Sequence, residues 1–494
     1  MGSQRGLIVR AGTLALAGMF GAMTGGAQTQ EIDQLRERLR QLEQSTQQSM
    51  QELKAQISAL QQEAQQPPGV APALPAPSAS PSTSGQVPTA QLPLNIGEET
   101  RLRQTAGENE DGAPRIDNES LDPSLRGYFR LPGTSTLMKF GGFVKTDLIY
   151  DLNYAGTYYG AYVPSSFPSS ATPHSKNATV SMRATRFSWE TRTDTLDGGG
   201  AKVKTYFEFD FFSNYDRNSI RLRQFYGQYK NFLAGQAWSA FSDPDVFPDT
   251  LEFEGPPGII AARNPQMRYT QLLNAENSIG VSIEKSGVDT PVSTPFGTPI
   301  GTSYFPDLIG FYHFENKHGH LHAAALFRNV GGIIPNTTVP DLTRHVGAYG
   351  GNLSGAWGLG SKDNIVFQAV IGKGISNYYN DNFGLGSDVG FSASGKLVAT
   401  PTGSFQAGYT HNWSKIIRST VSYGYTRINN TAMDPGTNYH TSDYATANLI
   451  IQPSIRYLFG AEYIYGDLIR KDDFKWIAPR IQASVTYYIN KYPR

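Results

Sequence analysis

The sequence contains no cysteine, which removes disulfide frameworks, thiolate metal sites, cysteine nucleophiles and a lipid-modified cysteine anchor. After the N-terminus no run of about 20 apolar residues occurs, so no α-helix could span a bilayer. An excess of charge is missing too: 42 basic residues balance 42 acidic ones. That balance gives no support to nucleic-acid binding, although a basic interior can coexist with acidic loops. Catalytic signatures are also missing. There is no serine in a nucleophile elbow, no carboxylate pair in a fixed motif, no phosphate loop and no metalloprotease spacing. The sequence therefore points to no enzyme, no cofactor and no metal. A hydrolase whose Ser, His and Asn meet across strands would leave no linear trace, and nothing here favours one.

What the chain does have is aromatics and turn residues. Only 39% of its 494 residues are hydrophobic, while Gly, Tyr and Phe number 51, 27 and 26. From Lys139 onward, runs with period-two alternation recur to the end. In Lys202–Phe212, Val203, Thr205, Phe207, Phe209 and Phe211 alternate with Lys202, Lys204, Tyr206, Glu208 and Asp210. One such strand fits a soluble sandwich as well as a membrane barrel, since both have one apolar face. The aggregate decides. Sixteen candidate strands are joined alternately by short turns, such as Ala275–Glu276, and by long loops, such as 151–177, 287–303, 374–395 and 429–443. In outer-membrane barrels the periplasmic turns are short, the external loops long and the strand number even. The expected fold is all-β, a sixteen-stranded antiparallel transmembrane β-barrel wide enough for an aqueous channel.

Residues 1–27 read as a secretory signal, with Arg5 and Arg10 before the apolar run Ala11–Ala22 and small residues at Gly25-Gly26-Ala27. Residues 28–65 form the second block. Within it Ile32, Leu35, Leu39, Leu42, Thr46, Met50, Leu53, Ile57 and Leu60 repeat at heptad spacing with one stutter. A seam this narrow cannot be buried by one helix, which argues for a coiled coil between subunits; a solitary amphipathic helix is the other reading. Residues 66–125 are a Pro/Ala/Ser-rich and then acidic linker. The barrel takes 126–494, and the coiled coil, following the signal, belongs in the periplasm.

One stretch interrupts the strand rhythm. Between Trp238 and Gln266 lie roughly 27 residues, where a hairpin connection usually has about 2–5. It carries Phe241, Phe247, Leu251, Phe253, Ile259 and Ile260, too much apolar surface for a disordered segment. The expectation is an inward-folded constriction loop, about 240–265, that opposes its acids Asp243, Asp245, Asp249, Glu252 and Glu254 to arginines on the wall. An exterior loop capping a neighbouring subunit is the alternative. Alternation nominates lumen residues: Lys145 and Asp147; Arg186, Glu190 and Arg192, opposite outward Phe187 and Trp189; Arg221 and Arg223; and Arg328, opposite Phe327. Arg263 and Arg268 flank the loop. A guanidinium holds a carboxylate bidentately and stays charged at any physiological pH, so an arginine cluster suits an anion filter. Singly, each arginine is as readily a lumen residue paired with a loop acid. His318, His320 and His322 recur at period two, a spacing that could hold a transition metal, but no carboxylate completes a site.

Phe129–Lys145, FRLPGTSTLMKFGGFVK, followed by Thr146-Asp147-Leu148-Ile149-Tyr150-Asp151, resembles the opening of DcaP-like outer-membrane porins. Gly235–Phe241, Leu251–Gly255 and Arg263–Thr270 resemble that family's constriction segment, and the N-terminal heptads and Pro-rich linker match its layout. The resemblance implies homotrimeric sixteen-stranded channels for small anionic solutes, particularly dicarboxylates and related aromatic acids. A general or sugar-preferring porin, and a scaffold or adhesin tethered by its coiled coil to the cell wall, are the alternative readings. The last residues, Lys491-Tyr492-Pro493-Arg494, depart from the terminal aromatic common in outer-membrane strands.

Overall fold

The computed structural model describes residues 127–489 except 157–160, 169–173, 196–201, 213–218, 292–296 and 336–341. The signal, coiled coil and linker expected over 1–125, and the last residues 491–494, lie outside the described residues. Within them the chain is a single cylinder of β-strands in sequence order. The first half comprises β1 (Leu137–Asp151), β2 (Asn177–Ser181 continuing as Arg186–Asp194), β3 (Lys202–Asp210), β4 (Arg221–Tyr229), β5 (Phe232–Trp238), β6 (Arg263–Leu272), β7 (Asn277–Glu284) and β8 (Asp307–Asn316). The second comprises β9 (Gly319–Ile334), β10 (Leu342–Leu359), β11 (Asp363–Lys373), β12 (Pro401–Asn412), β13 (Ile417–Ile428), β14 (Tyr439–Ser454), β15 (Tyr457–Arg470) and β16 (Lys475–Ile477 continuing as Arg480–Tyr488).

Each strand pairs antiparallel with the next, and β16 returns to β1 with Tyr488 opposite Phe143 and Arg480 opposite Asp151. The cylinder is therefore closed, and no sheet edge is left for water or lipid to meet. The expected sixteen strands are all present. Short turns such as Lys230-Asn231 and Ile455-Arg456 alternate with longer connections such as 152–176, 239–262, 285–306 and 374–400. Lys230 adopts φ 51°, the left-handed conformation that a two-residue hairpin requires.

The two faces of the wall are inverted relative to a soluble protein. On β7 the exposed positions are Ile279, Val281 and Ile283, and the buried ones Ser278, Ser282 and Glu284. On β16 Ile481, Val485 and Tyr487 are exposed, while Arg480, Gln482, Ser484 and Thr486 are buried. An apolar exterior with a polar interior is what a bilayer outside and water inside select. Aromatics concentrate on the exterior of β2–β4, where the rings of Trp189 and Phe207 stack with centroids 4.2 Å apart. The wall is also uneven in height: β5 has 7 residues and β3 and β4 have 9 each, against 16 in β9 and 18 in β10.

Candidate functional site

The segment 239–262 folds into the cylinder, as its apolar content and length imply. It follows the inner wall from β7 past β15 to β1. Its backbone is taken up by wall side chains at intervals along its whole length, as a buried non-helical segment requires. The Ala240 N–H donates to Glu284 (2.8 Å). Asn352 on β10 donates to the Phe241 carbonyl (2.7 Å), and Gln406 on β12 to that of Val246 (2.9 Å). Asn448 on β14 donates to the Asp249 carbonyl (2.8 Å), while the Leu251 and Glu252 N–H groups both donate to Glu462 on β15 (2.9 Å each). Lys145 on β1 donates to the Leu251 carbonyl. Returning, the Ile260 N–H donates to Gln368 on β11 (2.9 Å), and Ser404 to the Gly258 carbonyl (2.9 Å). Gly258, at φ +80°, lies so close to the wall that a Cβ would meet Thr426 Oγ1 at 2.2 Å. Apolar groups complete the docking: Phe241 and Ile260 among Ile309, Leu326, Val370 and Ile375, and Leu251 among Phe143, Ile450 and Leu458.

Along the arc from β2 to β5 no wall side chain among the described residues takes up the backbone of the loop, and there the arginines gather, Arg186 and Arg223 buried and Arg221 and, at the start of β6, Arg263 partly exposed. Asp210 accepts both Nε (2.9 Å) and Nη2 (2.6 Å) of Arg221 and also Nη1 of Arg223 (2.9 Å). Glu208 pairs with Arg223 and lies 4.0 Å from Arg186. The loop places Phe253 against this cluster, with the guanidinium carbons of Arg221, Arg223 and Arg186 at 5.5, 5.6 and 6.0 Å from its ring centre. Phe212 stacks behind Phe253 at 4.2 Å and carries Arg183 and Arg221 on its own ring. Arg263 lies over the Trp238 indole at 4.6 Å, half-buried, with no carboxylate within ion-pair distance among the described residues. Arg186, Arg221 and Arg223 thus gather around two wall carboxylates, with Arg263 beside them, at a site flanked by aromatic rings.

The structure brings together Arg186, Arg221 and Arg223, nominated by alternation, and Arg263, expected to flank the loop. It puts the others to different work. Arg328 points inward as expected but is fully buried between Asp307 (3.3 Å) and Asp388 (3.2 Å), and also donates to the carbonyls of Gly374 and Gly287. Asp307 at the start of β8 and Asp388 in a later connection outcompete an open lumen, and through Gly287, Gly374 and Asp388 Arg328 ties loops 285–306 and 374–400 together. Arg268 donates to Gln266 (3.0 Å) and to the Trp238 carbonyl, bracing the base of the inserted loop. Lys145 pins the loop while paired with Asp147 (3.3 Å). Glu190 and Arg192 pair with each other, away from the cluster, and Glu190 also accepts from Tyr128 (2.6 Å).

The loop acids are corrected in the same way. Asp249 does meet a wall arginine, but it is Arg418 on β13. Asp243 accepts from Ser354 (2.7 Å) and His320 (3.0 Å), and Glu252 accepts the N–H groups of Tyr162 and Gly255 (2.8 Å each). Asp245 is buried with them. Only Glu254 stays half-exposed toward the arginines. The histidines are likewise used for docking: His320 binds Asp243, His322 the Ala240 carbonyl (3.2 Å), and His318 sits in the β8–β9 turn. Sequence reasoning did not single out Arg183, Phe212 or Trp238 for this site. They lie at strand ends, where alternation assigns no face.

A closed sixteen-strand barrel with a lipid-facing apolar exterior, a polar lumen and an inserted loop beside a charged arc defines the outer-membrane porins, channels of the cell outer membrane. The comparisons narrow that class. The model of the DcaP outer membrane protein family matches residues 130–488, and the chain belongs to that family. The crystal structure of the outer membrane channel DcaP of Acinetobacter baumannii superposes with a TM-score of 0.63 at 22% identity, covering 74% of this chain and all of that one. An anion-selective porin from Comamonas acidovorans gives 0.46 at 10% identity over 72% of this chain and all of that one. OmpT of Vibrio cholerae gives 0.45 at 12% over 73% of this chain and 99% of that one. No match emerged among curated protein sequences.

Proposed function

We propose that this porin passes small anionic solutes, dicarboxylates and aromatic acids foremost, by diffusion through the arginine-lined constriction beside Phe253. The observation that carries the reading is Arg263, partly exposed and with no carboxylate at ion-pair distance among the described residues, next to Arg221 and Arg223 whose charges Asp210 and Glu208 largely offset. A carboxylate solute finds an unpaired guanidinium, and a ring finds the face of Trp238 or Phe253. Binding there is shallow and side-on, which lets solute leave as well as enter. Three copies would assemble in the outer membrane, with the heptads of 28–65 joining subunits in the periplasm or touching the cell wall.

The test is reversal potential in a planar bilayer under a KCl gradient. The wild-type channel is expected to prefer chloride and to show current reduction by added dicarboxylate. Arg263→Gln should bring the preference close to neutral. A wild-type channel that is cation-selective, or one blocked equally by neutral sugars, would refute the reading.

A further inference from the structure

Glu254 is the one acid of the inserted loop that docking does not consume. Its backbone is held on both sides: Asn380 donates to its carbonyl (2.9 Å), and the next N–H, of Gly255, donates to Glu252 (2.8 Å). The side chain is only partly exposed and makes no hydrogen bond or ion pair within the described residues. The cations whose field reaches it first are Arg221 and Arg263, yet neither comes within the 4.0 Å of an ion pair. A carboxylate and two guanidiniums thus face one another without closing. Phe253, the preceding residue, provides an apolar surface beside the gap and already lies 5.5 Å from the Arg221 guanidinium.

We propose that Glu254 is an ammonium-binding pole of the constriction, so that the channel takes zwitterionic solutes, ω-amino carboxylates such as 4-aminobutyrate, as well as simple anions. This rests on the arginine reading of the same site, since the solute carboxylate goes to Arg263 and Arg221 while its ammonium turns toward Glu254. The alkyl link between them lies along the Phe253 ring. For a dicarboxylate the same residue acts in the opposite sense, repelling the second carboxylate. Glu254 thereby sets the ratio between the two solute classes while the arginines set the preference for a carboxylate.

The full-length protein is reconstituted in liposomes, and the entry rates of 4-aminobutyrate, glutarate and neutral butyramide are measured for wild type, Glu254→Gln, Glu254→Asp and Arg263→Gln. Glu254→Gln should lower the 4-aminobutyrate to glutarate ratio by up to about fivefold, the upper end for one partly exposed charge contact, and leave butyramide unchanged. Glu254→Asp should restore most of the ratio. If the ratio is unchanged in Glu254→Gln, including the case where all three rates fall together, the proposal is overturned. If Arg263→Gln leaves glutarate untouched, it is the arginine reading that fails, and Glu254 is judged by the ratio alone.

Discussion

Glu462 offers the sharpest test of how the inserted loop is held. Its carboxylate accepts three hydrogen bonds, from the Leu251 and Glu252 N–H groups and from Asn448 Nδ2, all at 2.9 Å. In Glu462→Gln one oxygen becomes an amino group that faces an N–H, so one backbone donor loses its acceptor. A buried unsatisfied donor costs about 1–3 kcal/mol, and at about 1.4 kcal/mol per decade the docked segment should open roughly 5- to 150-fold more often. Hydrogen exchange followed by mass spectrometry, on protein in detergent micelles, reads this directly. Peptides covering 248–256 should lose protection by that factor while strands β9 and β10 keep theirs. In Glu462→Ala both donors are orphaned and the loss should be larger. Unchanged protection at 251 and 252 would refute the idea that Glu462 seats the loop; an equal loss across every strand would show that it holds the barrel instead.

Further outcomes follow from the same contacts. Arg328→Met should leave Asp307 and Asp388 buried and unpaired, a loss of about 3–5 kcal/mol, seen as faster proteolysis within loops 285–306 and 374–400 without loss of the barrel. Gly258→Ala should displace the returning limb of the inserted loop, because its Cβ would overlap Thr426 and Ser404; conductance should become noisier in single-channel records. Burial, and then neighbouring Asp388, pushes the Asp289 carboxyl up to about 6, and burial does the same for Asp381. A raised acid binds more protons folded than unfolded, so the contribution of these groups to stability falls as pH rises toward about 6 and is flat above. Loops 285–306 and 374–400 should therefore resist protease better at pH 5 than at pH 7. Equal cleavage at both would count against it.

Much of this architecture could be read from the sequence because lipid and water sort side chains at period two. Ile481, Val485 and Tyr487 alternate with Gln482, Ser484 and Thr486, and the barrel turns the first set outward and the second inward. The same rule placed Arg186, Arg221 and Arg223 in the lumen. It could not say which inward arginine would remain available. Arg328 obeys the alternation, yet its partners Asp388 and Gly374 sit on a connection about fifty residues away, and no local pattern announces them. Within 239–262 there is no period at all, so Asp249 and Glu254, five positions apart and chemically alike, could not be separated. One meets Arg418; the other meets no cation within ion-pair reach among the described residues. The short pairing of Val389–Phe391 with Leu397–Ala399 has no signature in the sequence, its first strand falling inside the stretch 374–395 that reads as a loop.

The inserted loop also divides the barrel into two kinds of territory. On the side of β7 to β15, inward residues such as Asn352, Gln368, Gln406 and Asn448 are each matched to one atom of the loop, so substituting any of them disturbs a shared scaffold. On β2 to β6 the inward residues answer mainly to one another and to whatever passes. Substitutions on five neighbouring strands are thus free of the loop's geometry, while the remainder of the lumen is constrained by its obligation to the loop.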